Sequence, residues 1–561
     1  MKKLLQISIL VLLLLTYLII GLSYAAPTCT LLGESCTPGS HNCDACTAES
    51  LSSTHVQAAI NATARGGTVN LPAGDETWTS TVTYDRAIII QGQGSQDTGT
   101  PCTTGTCIRN GMTKCTTTTC TNSSCATYLL SYTVSSSANA TLDLPYTNRV
   151  TGIRFDMNYQ GLGVSFRNLV TDFPLTNIIV DNNVFLDCWD CDYEGTDPVS
   201  PVLRFLGRFD GVVYNNSFYG WPYIGNAGGN TATAGSMANG VVMFNNEVFN
   251  VNYGTSGFMY YEDNYFYSDG PLANTGGSPF LITVSAGQKA VVRYNDFISN
   301  RTWGTQSKPW SPHHPKYAPS GKGGEFYGNY FRHTTGNINW SWGRPRAGKN
   351  LMFYNRLYTN NSGTQWTMYA PSTNPPATTT TACGSDVYAP WIGKYYCDKA
   401  GMPQHLWQSY QWVNKDGNTG TGVYTEPSVS DGDRLTANKH YYDCPGCVVN
   451  DDTYDSEKFT GATGVGCGTI GNRPATCTAG TAYWVPNASK DPTASSCENI
   501  NAWVGRNNTI ASELGGKIGT LYICGSNNWT NATIYQPYTY PHPLRGTDSI
   551  KPTNSLTSVC S

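Results

Sequence analysis

Residues 291–297 read VVRYNDF, and this pattern of apolar strand, asparagine and large residue two positions later recurs along the middle of the chain. The other copies of this kernel are IIVDNNVF at 178–185, VVYNNSF at 212–218, MYYEDNYF at 259–266, EFYGNYF at 325–331 and LMFYNRL at 351–357. A looser copy at 241–249 has one more residue between Asn246 and Phe249. The kernel is therefore constant while the segments that connect its copies vary in length.

A constant kernel with variable connections is typical of a protein built from stacked repeats. Asparagine tolerates the left-handed backbone conformation that a sharp bend requires, and stacked asparagine side chains can hydrogen-bond to one another. We therefore predict an all-β fold, a parallel β-helix, in which the residue two positions after each asparagine faces the core. The ladder at the bend is predicted to contain Asn183, Asn216, Asn264, Asn295, Asn329 and Asn355. A series of antiparallel hairpins is the alternative, but it needs a turn signal roughly every 8 to 12 residues.

The composition supports a folded, β-rich chain. Its 561 residues are 39% hydrophobic, which is enough for a core, and only 13% charged, whereas helix surfaces are usually rich in Glu, Lys and Arg. The formal net charge of −4 excludes a DNA-binding protein of the usual basic kind, so no nucleic-acid partner is expected. One amphipathic helix is predicted at 53–64, with Ser53 as its N-cap and Gly66 and Gly67 beyond its end.

The first 25 residues have the features of a bacterial-type signal peptide. Lys2 and Lys3 precede an apolar run at 4–22, and the sequence at 23–25, SYA, supplies small residues at the cleavage site. We therefore expect export to the extracellular space or cell surface, with no membrane segment after cleavage. An uncleaved membrane anchor is the alternative, since the apolar run is nearly long enough to span a bilayer.

The cysteines indicate an oxidising compartment. All 20 follow Ala25, an even number, so disulfide bonds are expected, although their connectivity cannot be derived. The three Cys-x-x-Cys pairs are Cys43/Cys46, Cys188/Cys191 and Cys444/Cys447. We interpret these pairs as parts of structural bridges, and a metal site or redox pair stays open as the alternative.

Three segments carry a resemblance to a known family. The sequences GGTVNLPAG at 66–74, which follows the predicted helix, and IIIQGQG at 88–94 resemble the opening of the pectate-lyase-like β-helix superfamily, and the asparagine kernels resemble its interior. The sequence YTYPHPL at 538–544 is similar to the ending of many secreted bacterial members. The resemblance covers 50–95 and 150–360 and implies a right-handed parallel β-helix with an N-terminal capping helix. It does not imply one activity, because this fold hosts lyases, hydrolases, esterases and non-enzymes.

The predicted domain organisation follows from these features. A signal peptide at 1–25 precedes a cysteine-rich segment at 26–50, and the β-helix occupies 51–370 with a cysteine-rich insertion at 96–140. A Pro/Thr-rich loop at 371–384 leads to a cysteine-rich region at 385–561, which we interpret as further coils with long wrapping loops.

Positive charge concentrates in residues 301–350, where eight Lys or Arg face a single acid, Glu325. Elimination from a uronate needs a cation that neutralises the carboxylate and a base that removes the α-proton. The candidate catalytic residues are Lys308, Arg332, His333, Arg344 and Arg346. The candidate substrate-binding residues are Arg301, Trp310, His313, His314, Lys316, Trp340 and Trp342. We expect 301–322 to form one loop and stacked strands to bring the cations to one side, where they would attract an acidic polysaccharide; a solvated basic loop is the alternative.

An acidic segment is the candidate metal site. Its five carboxylates, which fall within eleven residues, are Asp187, Asp190, Asp192, Glu194 and Asp197. Several carboxylate oxygens on one loop suit Ca²⁺, and a solvated acidic loop is the alternative. The hydrolase branch of the superfamily is disfavoured because the chain lacks Gly-His-Gly and Arg-x-Lys segments. The esterase branch is disfavoured because Gln96-Asp97 lies in a Gly/Thr-rich loop, away from where that branch has its catalytic Gln-Asp segments. The predicted function is the binding of an extracellular, acidic polysaccharide. Lyase activity and a non-catalytic role as an adhesin or structural scaffold are both left open, and the sequence predicts no oligomeric state.

Overall fold

The computed structural model describes part of the chain. The described residues are 28–30, 43–94, 102, 105–112, 128–158, 163–170, 174–188, 202–207, 209–220, 223–227, 254–255, 257–268, 281–285, 289–300, 310–312, 323–333, 348–358, 367–369, 406–416, 428–430, 437–439, 441–444, 459–487, 505–506 and 508–546. The predicted signal peptide and most of the predicted basic and acidic loops lie outside these residues. Within them the chain is mostly β-strand, as the kernel predicts.

The strands in the first half of the chain are β1 (Thr28–Thr30), β2 (Cys43–Thr47), β3 (Thr63–Asn70), β4 (Gly74–Trp78), β5 (Val82–Tyr84), β6 (Ile89–Gln91), β7 (Thr106–Asn110), β8 (Leu130–Val134), β9 (Asn148–Thr151), β10 (Ile153–Asp156), β11 (Val164–Asn168), β12 (Leu175–Asp181), β13 (Val184–Cys188), β14 (Leu203–Leu206), β15 (Phe209–Tyr214), β16 (Ser217–Gly220), β17 (Tyr223–Ala227), β18 (Met259–Glu262) and β19 (Tyr265–Ser268).

The remaining strands are β20 (Leu281–Ser285), β21 (Lys289–Arg293), β22 (Asp296–Ser299), β23 (Trp310–Pro312), β24 (Gly323–Tyr327), β25 (Tyr330–His333), β26 (Gly348–Phe353), β27 (Arg356–Tyr358), β28 (Thr367–Tyr369), β29 (Leu406–Trp412), β30 (Lys415–Asp416), β31 (Ser428–Ser430), β32 (Tyr441–Tyr442), β33 (Val465–Cys467), β34 (Ala482–Pro486), β35 (Gly519–Gly525) and β36 (Asn528–Tyr535).

These strands form three large sheets, and from β3 to β24 the chain enters them in strict rotation. Sheet A has the order β1-β2-β3-β6-β9-β12-β15-β18-β21-β24-β26-β29-β32, sheet B the order β4-β7-β10-β13-β16-β19-β22-β25-β27-β30, and sheet C the order β5-β8-β11-β14-β17-β20-β23. The paired strands within them are parallel except at β1 and β2. Strands β28 and β31 form a separate parallel pair.

The predicted asparagine ladder is confirmed. The side-chain amide of Asn183 donates to Asn216 Oδ1 at 3.1 Å, and the same bond joins each successive pair through Asn264, Asn295, Asn329 and Asn355. Asn355 in turn donates to Asn414 Oδ1 at 2.9 Å, a member that the sequence pattern missed. Because Asn216 reaches Asn264 directly, the looser copy at Asn246 supplies no intervening member of the ladder. Asn246 itself lies outside the described residues.

The prediction that the ladder asparagine is itself left-handed was wrong. The residue before it has the positive φ, which is 52° at Asn215, 56° at Tyr294 and 66° at Gly328. The physical reason is that the backbone of the ladder asparagine is itself hydrogen-bonded to the next member of the ladder. Its backbone N–H donates to the Oδ1 of the next asparagine, at 3.0 Å from Asn295 to Asn329, so it must stay in register while its neighbour makes the bend.

The residue two positions after each asparagine faces the core, as predicted. Phe185, Phe218, Phe266, Phe297 and Phe331 stack in sequence with ring centroids 4.6 to 4.9 Å apart. These rings belong to one large buried cluster together with inward residues of sheets A and C. Stacking at this distance adds to the stabilisation that burial of the rings provides.

The alternate residues of sheet A face a second cluster on the opposite side of that sheet. Strand β33 pairs in parallel with β34, whereas β34, β35 and β36 pair antiparallel. Leu521 and Tyr535 from this small sheet pack with Val212 and Tyr260 of sheet A. The small sheet β33–β36 therefore covers the outer face of sheet A.

The helices are short. Helix α1 comprises Ser53–Ala62. Its N-cap is Ser52 rather than the predicted Ser53, because the Ser52 hydroxyl accepts a hydrogen bond from the His55 N–H. The chain turns extended at Thr63, before the two glycines. Helices α2 (Ser137–Asp143) and α3 (Thr509–Glu513) were not predicted. No helix among the described residues has the length and apolar character needed to cross a membrane.

Disulfide bonds join Cys29 to Cys46, Cys102 to Cys107 and Cys477 to Cys524. Cys46 therefore pairs outside its Cys-x-x-Cys sequence. The sulfur atoms of Cys29, Cys43 and Cys46 lie within 4.8 Å of one another, but all three are disulfide-bonded. Since metal binding by cysteine needs a thiolate, this group has no ligand to offer a metal.

Candidate functional site

The outer face of sheet B can be located from the ladder. Side chains alternate along a strand, so when the residue two positions after the asparagine is inward, those one and three positions after it are outward. Along the sheet these outward pairs change from Val184 and Leu186 on β13 to Tyr265 and Tyr267 on β19. The apolar members pack as a cluster separate from the interior. The outer face becomes aromatic and then basic toward the last strands.

The basic end of this face consists of Tyr330 and Arg332 on β25 and Arg356 and Tyr358 on β27, which we call the basic tyrosine patch. Strand register sets Tyr330 opposite Arg356 and Arg332 opposite Tyr358, so cations and rings alternate in both directions. The Tyr330 and Tyr358 ring centroids are 4.9 Å apart. The patch thus combines two half-buried aromatic faces with two guanidinium groups.

The two arginines of the patch differ in exposure. Arg332 is exposed, and its guanidinium hydrogen-bonds to the Tyr330 hydroxyl, whose pKa is raised by burial and lowered in part by Arg332. Arg356 is only 8% exposed, and its Nε is buried without a hydrogen-bond partner among the described residues. A buried donor without a partner is costly, so Arg356 contributes positive charge beneath the patch, whereas Arg332 is the arginine that an anion can reach.

Asp296 on β22 borders the patch. It lies opposite Tyr330 in the register of sheet B, and its Oδ1 accepts from the backbone N–H of Arg506 at 3.1 Å. Burial raises the pKa of Asp296 to about 6. The Arg506 guanidinium lies 5.9 Å from the centre of the Tyr265 ring. The segment at 505–506 therefore covers the aromatic part of the outer face and reaches the edge of the patch, where the Gly505 N–H donates to the Gly328 carbonyl at 2.8 Å.

The predicted catalytic residues divide between this patch and undescribed segments. Arg332 is on β25 with an exposed side chain, and His333 ends the same strand, although only its backbone is described. Trp310 begins β23, again with only its backbone described. The candidates that lie outside the described residues are Arg301, Lys308, His313, His314, Lys316, Trp340, Trp342, Arg344 and Arg346.

The prediction of one long loop at 301–322 was wrong. Strand β23 divides it, because residues 310–312 pair with β20 in sheet C. The basic window is also split between faces. Lys349 is on β26 in sheet A, and burial lowers its pKa. Glu325, the one acid of the window, is buried on the outer face of sheet A, where it accepts from the Tyr535 hydroxyl at 2.6 Å. Side chains alternate between the two faces of a strand, and consecutive strands belong to different sheets. Charged residues that are close in the sequence of 301–350 therefore lie on different faces of the protein.

The acidic segment follows a strand of sheet B in the chain, and so does the first part of the basic window, residues 301–309. Asp187 is on β13, with only its backbone described, and Asp190, Asp192, Glu194 and Asp197 lie outside the described residues. The connections from β13 to β14 and from β22 to β23 both run from sheet B to sheet C. They are three strands apart in sheet B, which corresponds to about 14 Å.

A second concentration of charge lies on the outer face of sheet A and was not predicted. Glu262 at the end of β18, Asp263 in the following bend and Arg293 at the end of β21 are fully buried. Arg293 donates to Glu262 Oε2 at 2.7 Å, and Arg545 from the end of the chain contacts both carboxylates. We call these four residues the sheet A ionic cluster.

The cluster strongly perturbs its own ionisation. Burial acts to raise the pKa of Glu262, but Arg293 and Arg545 outweigh it and lower the pKa to about 2. Burial raises the pKa of Asp263 despite the adjacent Arg545. Both carboxylates are enclosed by side chains, so a polymeric substrate has no route to them. This arrangement is a structural contact rather than a substrate site.

Sequence reasoning missed Tyr330, Arg356 and Tyr358 as members of a site. The signal was present, since all three stand one or three positions after a ladder asparagine. It could have been found by reading outward positions in the way the inward phenylalanines were read.

Comparison with known proteins identifies no relative: no family model, curated protein or solved structure matches the chain.

Proposed function

We propose that this protein binds an acidic polysaccharide through the basic tyrosine patch. The observation that carries the proposal is the juxtaposition of exposed Arg332 with the Tyr330 and Tyr358 rings, with Arg356 beside Tyr330 in the register of sheet B. A guanidinium matches a carboxylate with two parallel hydrogen bonds. Aromatic faces with a polar tip are suited to the apolar faces of sugar rings. A uronate presents both groups.

The proposed architecture is a right-handed parallel β-helix of the pectate-lyase-like superfamily, exported by the signal peptide at 1–25. Its support is the rotation of successive strands through three parallel sheets together with the asparagine ladder. Helix α1, which contacts the first strands, corresponds to the capping helix of that superfamily. The handedness and the family are proposed from the resemblance and the strand order, and the export from the signal-peptide features of residues 1–25.

Two forms of this function differ in chemistry. In a lyase, a base removes the proton at C5 of the uronate, the electron pair forms the C4–C5 double bond, and the C4–oxygen bond breaks with the leaving oxygen taking a proton. Arg332 would neutralise the carboxylate. The Asp187–Asp197 segment, which we propose as a Ca²⁺ site, begins on β13, four strands or about 19 Å from β25 in sheet B, so it would be a separate site for the ion. In a non-catalytic adhesin or scaffold, the patch would bind without any bond cleavage.

Binding tests the proposal directly. Arg332→Ala should weaken the affinity for polygalacturonate and alginate by roughly tenfold or more, because a hydrogen bond to a charged group contributes about 1.5–3 kcal/mol. Arg167→Ala is the matched control, since Arg167 is a half-exposed arginine on β11 of sheet C. Added salt should weaken wild-type binding, and binding to a neutral glucan should not respond to either substitution.

Equal binding of both polyuronates by wild type and Arg332→Ala would contradict the proposal. The ultraviolet absorbance of unsaturated uronate product, followed with and without Ca²⁺, separates the lyase from the adhesin. A protein that binds through Arg332 and releases no such product is the adhesin.

A further inference from the structure

The small sheet β33–β36 has a second face, which points away from sheet A. Leu521 and Tyr535 face sheet A. Side chains alternate along a strand, so Tyr522 and Ile534, which pair between β35 and β36, lie on the far face. Tyr522 packs there against a buried cluster that includes Trp529, whereas Ile534 is 60% exposed. The far face is therefore apolar and partly open to solvent.

Arg473 lies on this far face. Its guanidinium is 4.9 Å from the centre of the Tyr522 ring and 5.0 Å from the centre of the Trp529 ring. Each ring attracts a cation placed over its face. Arg473 is also the only charged residue or histidine in the segments 459–487 and 519–535, which contain every strand of the small sheet. These segments therefore contribute one positive charge and no negative charge.

The Arg473 guanidinium has unused hydrogen-bond donors. Within the part of the chain that the structure describes, it contacts the two rings but forms no hydrogen bond or ion pair. The side chain is half-exposed, so a ligand can reach it from solvent. Arg545 is different, because it is buried and paired with Glu262 and Asp263. Arg473 is therefore a cation held on two rings whose N–H groups can donate to a ligand.

The loop that carries Arg473 is fixed to the hairpin of β35 and β36. The Trp529 side-chain N–H donates to the Pro474 carbonyl at 2.7 Å. Four residues after Arg473, Cys477 is joined to Cys524 of β35 by a disulfide bond. The guanidinium is thus held near the rings before a ligand arrives, and a site that is already ordered loses less affinity on binding.

We propose that Arg473, held over Tyr522 and Trp529, is the centre of a second carboxylate-binding site, and that its ligand is a uronate of the polysaccharide that the basic tyrosine patch binds. The identity of this ligand rests on the proposed function. A uronate matches the site in two ways. Its carboxylate accepts two parallel hydrogen bonds from a guanidinium, and its ring has an apolar face that suits exposed Ile534 beside Tyr522.

Two such sites allow one chain to connect two glycan strands. The basic tyrosine patch is on the outer face of sheet B, whereas Arg473 is on the small sheet that covers sheet A. The patch contains two arginines and the far face of the small sheet contains one, so the Arg473 site should bind more weakly. A chain with binding sites on separate faces is suited to a structural role in a polysaccharide matrix.

Calorimetric titration of the full chain with a short oligogalacturonate tests the inference. The wild type should bind two equivalents, one more weakly than the other. Arg473→Met should weaken the weaker event by about tenfold or more, because hydrogen bonds to a charged group are lost, and should leave the tighter event unchanged. Arg332→Ala should have the opposite effect. The wild type should also agglutinate beads coated with polygalacturonate, and neither single variant should do so.

Lys517→Met is the matched control. Lys517 is an exposed cation in the turn before β35, and its loss should change neither binding event. One wild-type equivalent that Arg473→Met retains would overturn the inference, and this stoichiometry decides against it even if the variant does not fold. One equivalent that Arg473→Met loses and Arg332→Ala retains would instead contradict the basic tyrosine patch. Binding of a polyglutamate peptide at Arg473 without binding of the oligogalacturonate would assign the site to a protein and overturn the glycan as its ligand.

Discussion

Asn216 and Asn264 are 48 residues apart in the chain, yet the side-chain amide of Asn216 donates to the side-chain oxygen of Asn264 at 3.0 Å. The same amide also donates to the Val180 carbonyl at 2.9 Å, on the strand before. One asparagine thus connects three successive strands of sheet A at the point where the chain bends into sheet B. Because the bond repeats along the sheet, the ladder holds the bend in register wherever the connecting segments vary.

Removing one ladder member should therefore be costly. Asn295→Ala deletes the bonds from its amide to Asn329 and to the Tyr261 carbonyl. It also removes the acceptor of the Asn264 backbone N–H and of one Asn264 side-chain amide hydrogen. Buried groups left without partners cost about 1–3 kcal/mol each, so we expect urea denaturation to show a loss of about 3 kcal/mol or more in the free energy of unfolding. Asn531→Ala, at an exposed asparagine of β36, should change it by less than about 0.5 kcal/mol. Similar losses for the two variants would contradict a stabilising ladder.

His542 should make the protein sensitive to acid. Burial lowers the pKa of His542 from 6.5 to about 4, so the unfolded state takes up this proton at higher pH than the folded state. The stabilisation is complete above pH 6.5 and is lost as the pH falls toward 4, on the order of 3 kcal/mol. The lowered pKa of Glu262 acts in the same direction between 4.5 and about 2, and the raised pKa of Asp263 acts against it.

The check is the free energy of unfolding at about pH 7 and about pH 4.5 for wild type and His542→Gln. The wild type should lose more stability than the variant over this interval. An identical loss in both would show that His542 does not titrate as its burial indicates.

The disulfide bonds should differ in their contribution according to the chain they enclose. The bond between Cys477 and Cys524 spans 47 residues, whereas that between Cys102 and Cys107 spans 5. Because a longer loop loses more entropy when it is closed in the unfolded state, replacing the first pair by serine should cost about 2 kcal/mol more than replacing the second. Thermal unfolding of the two double variants measures this difference, and a larger loss for the Cys102 and Cys107 variant would oppose it.

Calcium should stabilise the protein through the acidic segment if that segment binds the ion. A ligand that binds only the native state stabilises it by about 2.7 kcal/mol at a hundredfold excess over its Kd. Millimolar Ca²⁺ should therefore raise the melting temperature relative to EDTA, and Asp190→Asn combined with Asp192→Asn should abolish the difference. A melting temperature that is the same in Ca²⁺ and EDTA rejects the metal site.

The sequence by itself determined the β-sheet organisation around the ladder. The bend, the asparagine and the inward phenylalanine are separated by one or two residues, and the same local pattern returns on each strand pair. Short-range alternation is enough to assign Asn295 to the ladder and Phe297 to the core, because those roles depend on strand periodicity alone. The sequence pattern did not identify Asn414 as a ladder member, because Asp416 occupies the position where the other copies have a large apolar residue.

Only the tertiary structure decided which charged residues meet. Arg545 reaches Glu262 across 283 residues of sequence, and neither residue carries a local signal for the other. The patch depends in the same way on the adjacency of β25 and β27, which sets Arg356 beside Tyr330. Local periodicity specifies which face of a strand a side chain occupies, whereas the pairing of charges depends on which strands and loops become neighbours. That is settled by packing over the whole chain.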